Sequence, residues 1–207
     1  KIHYILTILA DPPPFDIAVP NKLKTKAKKL PPEKSNNRDL AYFYRERGQA
    51  AFMLYRNNQA LEDFRKAMRY AEKAGIKEAY FMNRLGVAER WAGNYNRAIE
   101  LLKQSLSIEK DPNTFYNLVS IYTSIGDLDY AQKLKKECTY SCNLSNGVMP
   151  KIMSASMEAF ILEAQGQFVK AEKQWRNILS LATSIRRRYP VHVIDNRTWL
   201  AINLMEQ

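Results

Sequence analysis

Two histidines, two cysteines and seven glycines are all that 207 residues contain, and each scarcity excludes a class of chemistry. A histidine-based catalytic triad would have to recruit His3 or His192, and neither lies near a nucleophile motif. Two cysteines cannot build a disulfide scaffold, and their count fits a reducing compartment. Cys138 and Cys142 stand four residues apart, but a zinc site would need both histidines from opposite ends of the chain. Cys138 therefore reads as a packing residue. Neither a phosphate-cradling loop of the Gly-x-x-x-x-Gly-Lys-Ser/Thr type nor a Gly-x-Gly-x-x-Gly fingerprint occurs. No apolar run approaches the ~20 residues a membrane-spanning helix needs. The sequence thus predicts no enzyme, no metal and no cofactor, in a chain expected to be intracellular and cytoplasmic.

Composition nevertheless favours a folded protein. Hydrophobic residues make up 46% and aromatic residues 11%, too much apolar mass for a disordered chain. The net charge is +11, which favours acidic partners through long-range steering.

Six of nine prolines fall within the first 32 residues, and the rest are Pro112, Pro150 and Pro190. From about residue 39 onward, breakers are rare and widely spaced, which favours helices over the frequent turns of a β protein. Wide, regular punctuation is also a cue for internal repeats. Aligning the chain on itself gives four registers. Ala60-Leu61-Glu62 is followed by Phe64 and Ala67. Gly93 to Glu100 contains Ala98 and is followed by Leu102. Gly126 to Gln132 contains Ala131 and is followed by Cys138. Gly166 to Glu172 contains Ala171 and is followed by Trp175 and Ile178. Each unit predicts an apolar helix, a turn and a second helix. Glycine suits the helix C-terminus, where a left-handed residue is needed, and alanine is small because two helices approach there. The first unit lacks the turn glycine.

These residues resemble the tetratricopeptide-repeat (TPR) family, whose pattern sets a bulky residue, Leu-Gly and a tyrosine in one helix and Ala…Phe…Ala in the next. Leu85, Gly86, Gly93, Ala98 and Leu102 match it best, with Phe115, Leu118, Tyr122, Gly126 and Ala131. The resemblance covers residues 39–185. Anchor alanines 38, 33 and 40 residues apart exceed the family's period of about 34. Such lengthened second helices are similar to those of kinesin light chains, spindle-orientation adaptors and bacterial peptide-receptor regulators.

The expected fold is an all-α, right-handed α-solenoid of about four TPR-like hairpins with additional terminal helices. Residues 1–20 read as an N-terminal arm or the remnant of an upstream repeat. Residues 21–38 carry six lysines and Arg38 against one acid, Glu33, and read as a solvated basic linker, because alternating lysines between prolines define no single helical face. Residues 39–185 form the array. Residues 186–207, beginning Arg186-Arg187-Arg188, read as a C-terminal cap or the start of a fifth repeat, apolar enough to pack on something.

The resemblance implies binding on a concave face lined by the first helices. The register offers as exposed positions Arg45, Gln49, Phe52 and Met53 in the first unit, Asn83, Arg84, Val87, Arg90 and Trp91 in the second, and Tyr116, Asn117, Ser120 and Ser124 in the third. Arginine forks pair with carboxylates, and amides both donate and accept along a peptide backbone. Phe52 and Trp91 would supply apolar anchors. Chaperone-binding members hold a C-terminal carboxylate with a lysine–asparagine clamp. Arg45 with Gln49 is similar to its first pair, but Val87 stands where the second asparagine should be. The expected function is a non-catalytic scaffold that holds an extended or helical segment of another protein, acidic or carboxylate-bearing, within a larger complex. A start at Lys1 and an apolar helix running to Gln207 suggest the alternative of a peptide-responsive sensor module cut from a multidomain protein. A further alternative is binding of nucleic acid or an anionic membrane surface through Lys22–Lys34. Asn143-Leu144-Ser145 and Asn196-Arg197-Thr198 are read as coincidental glycosylation sequons.

Overall fold

The computed structural model describes the backbone of residues 2–10, 18–144, 147–185 and 190–207. Eleven helices make up the regular structure among them: α1 (Ile2–Ala10), α2 (Ala18–Ala27), α3 (Asn37–Met53), α4 (Asn57–Lys73), α5 (Ala79–Trp91), α6 (Tyr95–Ile108), α7 (Pro112–Ser124), α8 (Leu128–Leu144), α9 (Val148–Ala164), α10 (Phe168–Ser184) and α11 (Pro190–Glu206). They fall into two compact units, one holding α2 to α6 and the other α1 with α7 to α11. The pairs α3/α4, α5/α6, α7/α8 and α9/α10 pack as hairpins.

All four hairpins turn in the same way. The residue two beyond the first helix donates its backbone N–H to a carbonyl three residues back: Tyr55 to Phe52, Gly93 to Arg90, Gly126 to Thr123 and Gly166 to Glu163. The next N–H reaches five back: Arg56 to Ala51, Asn94 to Glu89, Asp127 to Tyr122 and Gln167 to Leu162. This double bond pattern closes a helix end with one left-handed residue. Gly93, Gly126 and Gly166 have φ of 82°, 84° and 73°, and Tyr55 is held at 56°. A tyrosine in the left-handed region carries strain of order ~1 kcal/mol. The missing glycine of the first unit is therefore a strained turn, not a missing turn.

The anchor alanines sit where they were expected. Ala60, Ala98, Ala131 and Ala171 are completely buried. A Cβ on Gly86 would lie 2.9 Å from Leu102 Cγ, and one on Gly48 would lie 3.1 Å from the Phe64 ring. Those glycines set how closely first and second helices pack. In the first unit Ala51, Phe64, Leu85 and Leu101 form one apolar cluster, and Tyr44, Ala67, Ala71 and Phe81 form another. In the second, Phe160, Trp175, Ile178 and Leu200 form the core.

The ends of the chain correct one expectation and refine another. Residues 18–27 are a helix, not part of a solvated tether. The run Lys22–Lys29 begins on α2, which packs on α3. Pro20 occupies its first turn, where a missing N–H costs nothing. Ala27 is buried, Lys26 pairs with Glu46, Gln59 donates to the Ala27 carbonyl at 2.6 Å and Arg47 donates to the Lys29 carbonyl at 2.9 Å. α1 packs on α11, contributing Ile5 and Ile8 to the core, and α11 also packs on α10. Cys138 is fully buried, as a packing residue should be, but it is disulfide-bonded. Asn196 is buried too, which closes that sequon. Arg186–Arg188 and the side chains of Cys142 and Asn143 lie outside the described residues.

Candidate functional site

The first helices α3 and α5 lie against each other in the unit of α2 to α6, and there two of the three sequence-predicted arginines, Arg45 and Arg84, come together. Arg45 projects from α3 into an aromatic cradle: its guanidinium carbon is 4.8 Å from the Tyr42 ring centre, 5.1 Å from Tyr80 and 5.8 Å from Phe81. Arg84 of α5 lies over the other part of the same group, 4.7 Å from Tyr80. The pairs follow helical geometry, since Tyr42 precedes Arg45 by three residues and Tyr80 precedes Arg84 by four, the spacings at which helix side chains meet. Cation–π contact of this kind fixes a guanidinium plane against a ring face.

Acidic groups tune this face from either side. Tyr42 donates its phenol to Glu78 Oε1, and that hydrogen bond, with burial and the Glu78 charge, raises the phenol above its ordinary pKa. Arg45 donates to Glu46 at 2.8 Å. The same carboxylate accepts from Lys26 of α2, and the Lys26 bond, against burial and with help from Arg45, holds Glu46 below the usual carboxylate range.

Three buried side-chain atoms among the described residues have no hydrogen-bond partner: Arg45 Nε, Gln49 Oε1 and Arg84 Nε. All three belong to this α3–α5 face. Leaving such a group unpaired costs about 1–3 kcal/mol, so three on one face are unusual for a surface without a task. Together they offer two N–H donors and one acceptor.

The remaining predicted residues are placed differently. Asn83 and Val87 of α5, and Asn117 and Ser120 of α7, are buried, which corrects their reading as exposed positions. Asn117 donates to Asn113, and the Ser120 carbonyl accepts from Thr123 and Ser124. Phe52 is half-buried and packs against the Phe64–Leu101 cluster. Trp91 is 58% exposed at the end of α5, with Arg90 5.8 Å from its ring centre. Met53 is exposed on α3. Tyr116, Asn117, Ser120 and Ser124 all belong to the other unit, where Tyr116 packs on Phe160 at 5.7 Å. Sequence reading missed Tyr42, Tyr80 and Phe81. The alternation of aromatic and arginine at helical spacing could have found the first two.

Among the described residues no group of three or more histidine, cysteine or acidic side chains is placed to hold a metal. No described helix is long and apolar enough to cross a membrane.

No family model matches the chain. Curated relatives do. The photosystem I assembly protein Ycf3 of Prochlorococcus marinus strain MIT 9211 is 30% identical over 136 residues, 60% of this chain and 75% of that protein. The Ycf3 of strain MIT 9303 is 31% identical over 147 residues, 65% of this chain and 80% of that one. Among solved structures, a Podosopora anserina kinesin light chain protein with nearly identical TPR-like repeats superposes with a TM-score of 0.55 at 17% identity, covering 82% of this chain and 85% of that one. The MamA protein superposes with a TM-score of 0.52 at 16% identity, over 83% and 92%. Both are helical-repeat structures, and the all-α solenoid class of the present chain is theirs.

Proposed function

From the premise that this chain belongs to the tetratricopeptide-repeat family, we propose that it is a non-catalytic scaffold whose α3–α5 face holds a segment of a partner protein. One observation carries the reading: Arg45 Nε, Gln49 Oε1 and Arg84 Nε are buried on one face with no hydrogen-bond partner among the described residues. A peptide supplies what they lack. Its carbonyl or carboxylate oxygens accept from the two arginines, and a backbone N–H donates to Gln49. The three side chains are long enough to turn outward toward a ligand, and the aromatic rings of Tyr42, Tyr80 and Phe81 limit how far the guanidinium groups wander. Exposed Met53 and Trp91 offer apolar contact beside the polar centre. Acidic segments are favoured by the net charge of +11, and that steering weakens with salt. The Ycf3 relatives are assembly proteins by name. A scaffold that holds another chain is the property an assembly factor needs, and that likeness supports the same class of work here.

Crosslinking capture from the native cell, with wild type beside Arg45→Ala/Gln49→Ala/Arg84→Ala, tests this. The expected outcome is a protein captured by wild type and reduced at least tenfold by the variant, since losing two charged hydrogen bonds costs over ~1.4 kcal/mol. Helicity should be unchanged. An equal catch from both would remove the α3–α5 face from the account.

A further inference from the structure

A second surface in the same unit uses none of the unpaired atoms of the α3–α5 face. Between residues 22 and 34 five lysines are exposed: Lys22, Lys24, Lys28, Lys29 and Lys34. Had these residues formed a tether, their charges would have been spread through a moving chain. The structure instead fixes them. α2 is packed on α3, Ala27 is buried, Lys26 pairs with Glu46 of α3, and the carbonyls of Ala27 and Lys29 are gripped by Gln59 and Arg47. Lys26 is the one lysine of this stretch whose side chain makes these contacts, and the other five are exposed around α2 and along the segment after it, an ordered basic ridge. Glu33 is its single acid. In the middle of the ridge Leu30 is 84% exposed, the most exposed large apolar residue described in the protein.

We propose that this ridge docks on an anionic phospholipid surface, with Leu30 entering the headgroup–acyl boundary. Lysines near such a surface add attraction one by one, and a single apolar side chain among them adds a contribution that salt does not screen. The combination discriminates between polyanions. A nucleic-acid duplex would satisfy the lysines but offers no apolar layer for a solvent-exposed leucine. A single strand would call for aromatic stacking platforms, and residues 22–34 contain no aromatic residue.

The test is co-flotation of the full chain with phosphatidylcholine vesicles containing about 30% phosphatidylserine, beside pure phosphatidylcholine. Binding is expected to the anionic vesicles only, and to fall steeply between about 0.1 M and 1 M salt, as the screening length shortens from about 10 Å to 3 Å. Each lysine is expected to contribute about fivefold. The variant with Lys22, Lys24, Lys28, Lys29 and Lys34 changed to alanine should therefore fall below about a hundredth of wild-type affinity. Lys26 is kept so that α2 stays docked, and helicity checks that it does. Leu30→Ser should lose about tenfold at every salt concentration. Absence of binding to anionic vesicles at low salt, retention by the five-lysine variant, or tighter binding to a DNA duplex than to vesicles would each overturn the proposal. Failure of the α3–α5 face to capture a partner would leave it standing.

Discussion

Trp175→Ala is expected to destabilise the protein by about 3–5 kcal/mol, the range for removing a fully buried large aromatic side chain. Trp175 is completely buried on α10, where side chains of α9, α10 and α11 meet. Its ring lies 5.3 Å from Phe160 of α9 in an edge-to-face contact and 6.0 Å from Trp199 of α11 in a stack. Its indole N–H donates to Glu163 Oε1 at 2.7 Å, where Asn203 of α11 also donates at 2.9 Å. Burial raises the Glu163 pKa above the ordinary carboxylate value, and these two hydrogen bonds only partly offset it. Removing the indole therefore opens a cavity and strips a half-buried carboxylate of one donor. α11 is the helix expected to loosen, and α1 with it, because Ile5 packs in the same core. Urea unfolding followed by circular dichroism measures the loss, and a change under 1.5 kcal/mol would mean that the aromatic cluster is not what fastens α11.

Asp63→Ala carries the second large effect, again about 3–5 kcal/mol. Asp63 is buried on α4 and binds Arg47 of α3 through two bonds, Nε to Oδ2 at 2.9 Å and a terminal nitrogen to Oδ1 at 2.7 Å. Arg47 is itself only 15% exposed in its side chain. Its guanidinium lies 5.0 Å from the Tyr44 ring centre and 5.4 Å from Phe43. The Asp63 hydrogen bonds, working against burial, raise its already high pKa, so it cannot escape by giving up its proton. Taking away the carboxylate leaves a charge with one carbonyl, that of Lys29, in place of an ion pair. The cost is that of the orphaned charge and not the worth of the pair, which separates two outcomes. Arg47→Met/Asp63→Leu should recover most of the loss. A double variant as unstable as Asp63→Ala would show that the pair itself holds α3 to α4.

What the sequence revealed was short-range, and what it concealed was set by distant neighbours. Gly93, Gly126 and Gly166 announce their turns because only the local backbone demands them, and Ala60, Ala98, Ala131 and Ala171 announce close helix contact because no larger side chain fits. Tyr55 hid the first turn, since the hydrogen bonds of Tyr55 and Arg56 to Phe52 and Ala51 impose a conformation its residue type disfavours. α2 was unreadable for a different reason. Its lysines and prolines favour a tether, and its helix is anchored by Glu46, Arg47 and Gln59, which lie 18 to 32 residues later along the chain. The candidate face was legible in part. The repeat register picks out Arg45, Gln49 and Arg84, but it marks Asn83 and Val87 as exposed where packing buries them. Register sets the direction of a side chain, whereas burial depends on what packs above it.

The α3–α5 face is marked out by buried polar atoms that have no hydrogen-bond partner among the described residues. Urea unfolding of free Gln49→Met beside wild type tests that directly, because methionine fills nearly the same volume without a buried acceptor. A gain of about 1 kcal/mol is expected, the cost of the unpaired Gln49 Oε1 being removed. A loss of that size would mean that Gln49 is already satisfied in the free protein, and the α3–α5 face would then have no unmet demand for a partner to fill.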